Sequence, residues 1–192
     1  MKGNTLFPVF VKLDEINTLI VGGGNVALEK LEALLRNNPN VNVQLVASWF
    51  KEEVIELGAA NHNIELTQKE YSRGDLFGKQ MVIAATDNPE LHEQIRDDAR
   101  KNNVMINVAD TPNLCDFYLG STVKKGNLKI GISTNGKSPT FAKRLKEVFN
   151  ESLTEEIDEL LNQLNEVRNQ LKGDFSQKVS ALNELTKDLL KN

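Results

Sequence analysis

The chain has 192 residues, 40% of them hydrophobic, so it is long enough to bury one substantial core. Its net charge of −4 gives no reason to expect a nucleic-acid partner. Its single cysteine, Cys115, excludes an internal disulfide and favours a reducing, cytoplasmic setting. No run of 18 apolar residues is present and the N-terminal residues do not resemble a signal peptide, so we expect no membrane span.

Residues 1–112 alternate short apolar strands with helical segments. Strands are predicted at 18–21, 41–47, 64–68, 81–85 and 104–109, and helices at 27–35, 54–60 and from Asn88 to about Lys101. Such alternation is typical of right-handed βαβ units, in which helices cover both faces of a parallel sheet. We therefore predict an α/β domain with a Rossmann-like, doubly wound parallel sheet over residues 1–112.

The pattern changes after Pro112. Strand-like runs at 117–123 and 128–133 are joined by Lys124-Lys125-Gly126-Asn127, which predicts a β-hairpin. The apolar faces of these two strands exceed what one short hairpin can bury by itself. We therefore expect residues 113–150 to form a small α+β segment through which the protein makes a homodimer.

Helices follow the hairpin. Ser138 and Pro139 predict the N-cap and the first residue of one helix. From Leu153 apolar residues recur at helical spacing until Gly173, which is expected to end an amphipathic helix, and a second helix is marked by Val179, Leu182, Leu185 and Leu189. We assign residues 151–192 to a helical C-terminal domain, whose role the pattern leaves open.

The charges are distributed unevenly along the chain. Residues 113–150 hold seven basic residues against Asp116 and Glu147, whereas the segments on either side are both acidic. A basic stretch inside an acidic protein indicates either an anionic partner at a specific place or a solvated lysine-rich face.

The stretch IVGGGNVALE at residues 20–29 contains the pattern Gly22-x-Gly24-x-x-Ala27 between a predicted strand and a predicted helix. This is the context of the dinucleotide fingerprint. The first glycine allows a tight turn, the second lets the backbone approach a pyrophosphate, and the helix N-terminus favours negative charge. We predict nucleotide binding here, with a purely structural turn as the alternative.

The acidic residue that usually binds the adenosine ribose is missing at the end of the second predicted strand. Ser48 and Trp49 stand there instead. Ser48 can hydrogen-bond a ribose hydroxyl, and Lys51 is the nearest cation for a 2′-phosphate. These residues favour NAD over NADP only modestly.

Two aspartates follow predicted strands, at the edge of the sheet where ligands bind in open α/β folds. Asp87 is predicted mainly to cap the next helix, and Asp110 is either a turn former or a site residue. His92 is expected on the surface and His62 in a loop. These side chains form no cluster typical of metal sites, so we expect no stored metal.

Five stretches resemble the precorrin-2 dehydrogenase/sirohydrochlorin ferrochelatase family, the N-terminal module of siroheme synthase. They occur in family order over roughly residues 1–150: LFPVFVKL (6–13), VGGGNVALEK (21–30), VIAATDNPEL (82–91), INVADTPNLCDF (106–117) and ISTNGKSPTFAKRLKE (132–147). The last two are specific, because ordinary Rossmann enzymes lack them. The resemblance implies NAD-dependent oxidation of precorrin-2 to sirohydrochlorin, and in some members insertion of ferrous iron as a second substrate.

The resemblance and the fingerprint together define the predicted site. Asp110 matches the aspartate that the family uses in catalysis, and Thr134 matches a position near the active site where serine is common. The predicted cofactor-binding residues are Gly22, Gly23, Gly24, Asn25, Val26, Ser48, Trp49 and Thr86. The substrate that the resemblance implies is a tetrapyrrole with eight carboxylates, so the predicted substrate-binding residues come from the basic segment: Lys124, Thr134, Lys137 and Ser138.

One alternative function is an NAD-sensing regulatory or ligand-binding module in which the glycine loop binds nucleotide and no reaction follows. Such a module needs no Asp110 and has no affinity for polycarboxylate tetrapyrroles.

Overall fold

A computed structural model of the chain describes residues 3–171 and 175–187. The described residues divide into two compact units, one formed by residues 7–119 and the other by residues 3–6 together with residues 120–171 and 175–187. No helix within the described ranges is long and apolar enough to cross a membrane.

The first unit is a parallel sheet wrapped by helices. Its elements are β1 (Asn17–Val21), α1 (Asn25–Asn37), β2 (Asn42–Ala47), α2 (Glu52–Ala60), β3 (Ile64–Gln68), β4 (Met81–Ala84), α3 (Pro89–Lys101) and β5 (Met105–Val108), with 3₁₀ turns at Arg73–Leu76 and Pro112–Leu114. The five strands are parallel and lie in the order β3-β2-β1-β4-β5. This confirms the predicted Rossmann-like sheet.

The central strands β1 and β4 are buried on both faces of the sheet. Along β1, Ile20 packs into a cluster with Leu31 of α1 and Val54 of α2, whereas Leu19 on the opposite face packs into a cluster with Ile95 of α3. Because side chains alternate between the faces of a strand, a sheet covered by helices on both sides needs continuous apolar strands. That is why β1 and β4 are read so easily from the sequence.

The strand predicted at 117–123 begins later than expected, at Ser121. The residues before it are held by β5 of the first unit. The amide of Asp116 donates to the carbonyl oxygen of Ile106 at 2.8 Å, and the Asn107 side chain donates to the carbonyl oxygen of Phe117 at 2.9 Å. These contacts hold 116–117 against β5, so only the later residues enter the hairpin.

The second unit contains the hairpin β6 (Ser121–Lys125) and β7 (Leu128–Ile132), followed by α4 (Pro139–Ser152), α5 (Glu156–Gln170) and α6 (Phe175–Thr186). The predicted hairpin is confirmed, but Lys124 and Lys125 belong to β6 and not to the connection, so Lys125 lies opposite Leu128 across a turn of Gly126-Asn127 alone. The predicted helix end at Gly173 lies outside the described residues.

The first turn of α5 is attached to the turn of the hairpin. Asp158 Oδ1 accepts hydrogen bonds from the backbone and side-chain nitrogens of Asn127 at 2.6 and 2.9 Å, and Lys125 pairs with Glu155 at 2.7 Å. Gly126 has φ of +53°, and a Cβ at this position would collide with the Asp158 carboxyl group. Glycine is therefore required both by the turn and by the close approach of α5.

Candidate functional site

A cleft of about 810 Å³ lies in the first unit, where β1, β2, β3 and β4 end. All eight residues predicted to bind the cofactor line it: Gly22, Gly23, Gly24, Asn25, Val26, Ser48, Trp49 and Thr86. They come from three separate stretches of sequence. The sheet brings them together because the carboxyl ends of parallel strands meet at one edge.

Two of the three glycines are required by the close packing of loops. Gly22 has φ of +133°, and a Cβ there would overlap the carbonyl group of Ala85 beyond β4. A Cβ on Gly23 would collide with the carbonyl oxygen of Trp49, and the Gly23 carbonyl accepts a hydrogen bond from the Lys51 amide at 2.8 Å. The first two glycines therefore allow the loops after β1, β2 and β4 to meet.

Gly24 is different, because a Cβ on it would meet only the Trp49 ring, at 3.6 Å. It is the N-cap of α1, and no side chain caps that helix or places an acidic group in its first turn. The first backbone N–H groups of a helix have no partner within the helix, and Asn25 and Val26 line the cleft. This arrangement fits an anionic pyrophosphate at the helix N-terminus.

The ends of β2 and β3 form one side of the cleft. The carbonyl oxygen of Ser48 accepts a hydrogen bond from the Gln68 side chain at 3.0 Å, and the indole of Trp49 is 58% exposed. Lys51, the predicted candidate for binding a 2′-phosphate, is not among the residues that line the cleft. Its ammonium pairs with Glu53 at 2.7 Å, and hydrogen bonding to Lys51 lowers the pKa of that carboxyl group.

Sequence reasoning missed three lining residues that directly follow β3: Lys69, Glu70 and Tyr71. The signal was available, since they follow a predicted strand and ligands bind at strand ends. The Tyr71 hydroxyl donates to Asp98 on α3 at 3.3 Å, and Asp98 is only 9% exposed. Burial, followed by the negative charge of Asp98, raises the pKa of Tyr71, so the phenol stays protonated and joins the β3 end to α3.

The end of β4 forms the other side of the cleft. The prediction that Asp87 caps α3 is wrong, because the Asn88 side chain accepts hydrogen bonds from the amides of Glu90 and Leu91 at 3.0 and 3.1 Å. Pro89 occupies the first helical turn, so the residue before it is the N-cap. Asp87 instead lines the cleft beside Thr86.

The expectation that His92 lies on the surface is also wrong. This residue is 6% exposed, on the face of α3 that contains Ile95, Asp98 and Ala99. Burial lowers the pKa of His92. A hydrogen bond to the Thr86 backbone and the negative charge of Asp87 both act to raise it, but burial has the larger effect. Its Nε2 has no hydrogen-bond partner within the described chain. His92 thus resists protonation on the buried face of α3, and its neighbour in sequence, Leu91, lines the cleft.

Asp110 lies at the same edge of the sheet, two residues after β5 ends, and is exposed. It is not among the residues that line the cleft. Its φ is +56°, a left-handed conformation that aspartate and asparagine adopt more readily than most residues. Within residues 3–171 and 175–187 no group of three or more His, Cys, Asp or Glu side chains could hold a metal ion.

The predicted substrate-binding residues lie in the second unit. Thr134 and Ser138 are brought together, since the Thr134 hydroxyl donates to the Ser138 carbonyl and accepts from the Ser138 amide, both at 3.2 Å. The Ser138 side chain caps α4 by accepting from the Phe141 amide at 3.1 Å, as predicted for the helix start. Lys124 and Lys137 are exposed, and Lys124 lies directly opposite Lys129 in the hairpin. Like charges placed opposite each other repel, which suits an anionic ligand.

A parallel sheet with this strand order, a glycine loop on its central strand and an uncapped helix behind that loop defines a dinucleotide-binding protein of the Rossmann type. The NAD(P)-binding family matches residues 9–121, and the central region of sirohaem biosynthesis proteins matches residues 125–149. The chain therefore belongs to the NAD(P)-binding family, and its residues 125–149 are similar to the central region of sirohaem biosynthesis proteins.

Individual relatives agree with this placement. A siroheme synthase from Psychrobacter arcticus is 37% identical over 176 residues, 92% of this chain and 31% of the relative. A siroheme synthase from Pseudoalteromonas translucida is 34% identical over 168 residues, 88% of this chain and 35% of the relative. The chain thus spans about a third of the length of these relatives.

The fold also has a solved counterpart. The structure described as SirC, precorrin-2 dehydrogenase, superposes with a TM-score of 0.71 and covers 94% of this chain and 89% of its own, at 24% identity. At that level of identity the match establishes the shared fold.

Proposed function

We propose that the protein is an NAD-dependent dehydrogenase that oxidises precorrin-2 to sirohydrochlorin. The observation that carries this proposal is the cleft that gathers all eight predicted cofactor residues, at the sheet edge where β5 also brings Asp110. The solved structure with this fold is described as a precorrin-2 dehydrogenase, and the curated relatives are siroheme synthases. Both names support the choice of substrate.

Three groups of cleft residues would each hold one part of the dinucleotide. The glycine loop and the first N–H groups of α1 would hold the pyrophosphate. Ser48 and Trp49, at the end of β2, would hold the adenosine, with the exposed indole as a stacking surface. Thr86, at the end of β4, would lie on the nicotinamide side. When bound, the nicotinamide supplies the acceptor for the hydride that leaves the substrate.

Oxidation of precorrin-2 removes a hydride and a proton. We assign the proton to the carboxylate of Asp110, which is exposed beyond the end of β5. The carboxylates of the substrate would be bound by cations of the basic segment, including Lys124 and Lys137, and by the start of α4 at Ser138, where Thr134 closes the preceding loop.

The proposal also covers the preference for NAD, a homodimer, a cytoplasmic location and iron insertion. The ion pair of Lys51 with Glu53 supports NAD rather than NADP, because it engages the cation that was the candidate for binding a 2′-phosphate. The exposed apolar side chains of α4 support a homodimer, and a single cysteine supports a cytoplasmic location. Insertion of ferrous iron into sirohydrochlorin stays a prediction, which variants of Asp110 can test.

The proposal is tested by incubating the full chain with freshly prepared precorrin-2 and NAD without oxygen. Sirohydrochlorin and NADH should appear together and in equal amounts. A regulatory NAD-binding module would bind the dinucleotide and form neither product. The absence of both products with active substrate would disprove the dehydrogenase assignment.

A further inference from the structure

We propose that Glu70 selects NAD over NADP by accepting hydrogen bonds from the hydroxyls of the adenosine ribose and by repelling a 2′-phosphate. In most folds of this type the residue that does so lies at the end of β2. The inference rests on the proposed function in one respect only, that a dinucleotide binds in the cleft.

The acidic residue that is missing after β2 has a counterpart after the neighbouring strand, β3. β2 ends at Ala47, and neither Ser48 nor Trp49 is acidic. β3 pairs with β2 in parallel, with Gln68 opposite Ala47. The two strand ends stay paired beyond the sheet, because the amide of Lys69 donates to the carbonyl oxygen of Ala47 at 2.9 Å. Glu70 is the next residue along the chain, and it lines the cleft together with Ser48.

The strand order determines which half of the dinucleotide Glu70 would face. The glycine loop follows the central strand β1, with β2 and β3 on one side and β4 and β5 on the other. In this fold the ribose of the adenosine lies at the end of β2. The nicotinamide then points toward β4 and β5, the side on which Asp110 lies. Glu70 is therefore placed for the adenosine half and away from the reacting carbon.

Two lysines on this side of the sheet are already bound to other carboxylates. Lys69 lines the cleft, but its ammonium pairs with Asp75 Oδ1 at 2.6 Å. The other oxygen of Asp75 accepts from the Ser72 amide at 2.8 Å, which anchors the carboxylate. Burial opposes its ionisation, but the hydrogen bonds from Lys69 and Ser72 outweigh burial and lower the pKa of Asp75. Lys51 is paired with Glu53 in the same way.

Glu70 has no such partner: across the described residues its side chain makes no hydrogen bond or ion pair. Its carboxylate is therefore available to the ligand. A carboxylate accepts hydrogen bonds from two vicinal hydroxyls, and hydrogen bonds to charged groups are among the stronger ones. A 2′-phosphate would bring a second anion next to it, with Lys69 and Lys51 already neutralised. The site thus attracts NAD and rejects NADP.

The test measures binding rather than turnover. Trp49 is the only tryptophan and lines the cleft, so its fluorescence reports dinucleotide binding directly. Dissociation constants for NAD and NADP are compared for the wild type, for Glu70→Gln and for Glu70→Ala, with thermal unfolding as the check on folding. Glu56→Gln is the control, because Glu56 is an exposed residue of α2 outside the cleft, and its substitution makes the same change in net charge.

We expect the wild type to bind NAD more tightly than NADP. Glu70→Gln should reduce this preference by about tenfold or more, and Glu70→Ala should also weaken NAD about tenfold by removing the acceptor. Glu56→Gln should leave the preference unchanged. If a folded Glu70→Gln protein still binds NAD and keeps the wild-type preference for NAD over NADP, the role of Glu70 is disproved while cofactor binding in the cleft stands. If the wild type binds neither dinucleotide, cofactor binding itself fails and the role of Glu70 with it.

Discussion

A Cβ atom on Gly24 would lie 3.6 Å from the ring of Trp49, an ordinary van der Waals distance, whereas one on Gly23 would collide with the Trp49 carbonyl oxygen. The protein itself therefore has room for a Cβ atom at Gly24 and none at Gly23. The packing of the two loops explains glycine at position 23, and we propose that glycine at position 24 serves a ligand that approaches the backbone.

This difference predicts opposite effects of substitution at the two glycines. Gly24→Thr keeps a residue that is accepted at a helix N-cap, so the melting temperature should change little, while NAD binding should weaken about tenfold or more. Gly23→Ala should lower the melting temperature, because the loop after β2 must move. Binding is measured by Trp49 fluorescence and folding by thermal unfolding. Normal NAD affinity in Gly24→Thr would show that the pyrophosphate lies elsewhere.

Replacing Asp110 tests its proposed role as proton acceptor. Asp110→Asn suits the φ of +56°, so the backbone should be kept, and dehydrogenation should fall by about 10²–10⁴-fold with little change in NAD affinity. Asp97→Asn, at an exposed position of α3, is the charge-matched control. Near-normal oxidation of precorrin-2 by Asp110→Asn would contradict the assignment.

The same variant decides whether one carboxylate serves two reactions. The rate of ferrous iron insertion into supplied sirohydrochlorin is compared for wild type, Asp110→Asn and the uncatalysed reaction. If wild type accelerates insertion and the variant does not, Asp110 is shared. A wild-type rate equal to the uncatalysed rate would limit the protein to dehydrogenation.

Buried His92 predicts a dependence of stability on pH. Its pKa is lowered in the folded state from about 6.5 in the unfolded chain, so below about pH 6.5 the unfolded state takes up a proton that the folded state resists. The free energy of unfolding should therefore be fully retained above this pH and decrease as the pH falls from about 6.5 toward the lower folded-state value.

This loss can be assigned to His92 by comparing denaturant unfolding of two variants between about pH 7 and pH 5.5. His92→Gln should flatten the decrease, while His62→Gln should leave it intact, because His62 is exposed in a loop. The same slope in His92→Gln as in the wild type would show that another group is responsible.

The exposed face of α4 predicts self-association. Phe141 and Val148 are 57% and 54% exposed and lie two helical turns apart on one side of the helix. We expect a species of twice the 21.5 kDa chain mass in sedimentation, and a monomer after Phe141→Glu and Val148→Glu are combined. Phe77→Glu, at an exposed position of the first unit, should leave the dimer intact. A wild-type monomer at micromolar concentration would disprove the dimer.

Strands, turns and helix starts can be predicted from the sequence where neighbouring residues alone determine the local conformation. Residues 19–21 and Met81–Ala84 form continuous apolar runs because both faces of the sheet are covered there, and this pattern is visible without any tertiary information. The hairpin turn at Gly126 and the helix start at Ser138 also follow from the residues themselves, since each conformation has a narrow set of suitable side chains.

The sequence by itself therefore determined the parallel sheet, the glycine loop and the family resemblance that singles out Asp110. Only the tertiary structure decided which side chains face the cleft. The sequence of a polar helix such as α3 does not show which face will be buried. His92 and Asp98 are buried because of the way α3 packs against the sheet. Glu70 lines the cleft because β3, which it follows, pairs in parallel with β2, so that both strands end at the same edge of the sheet. Periodicity specifies elements, whereas contacts between distant segments depend on how those elements pack.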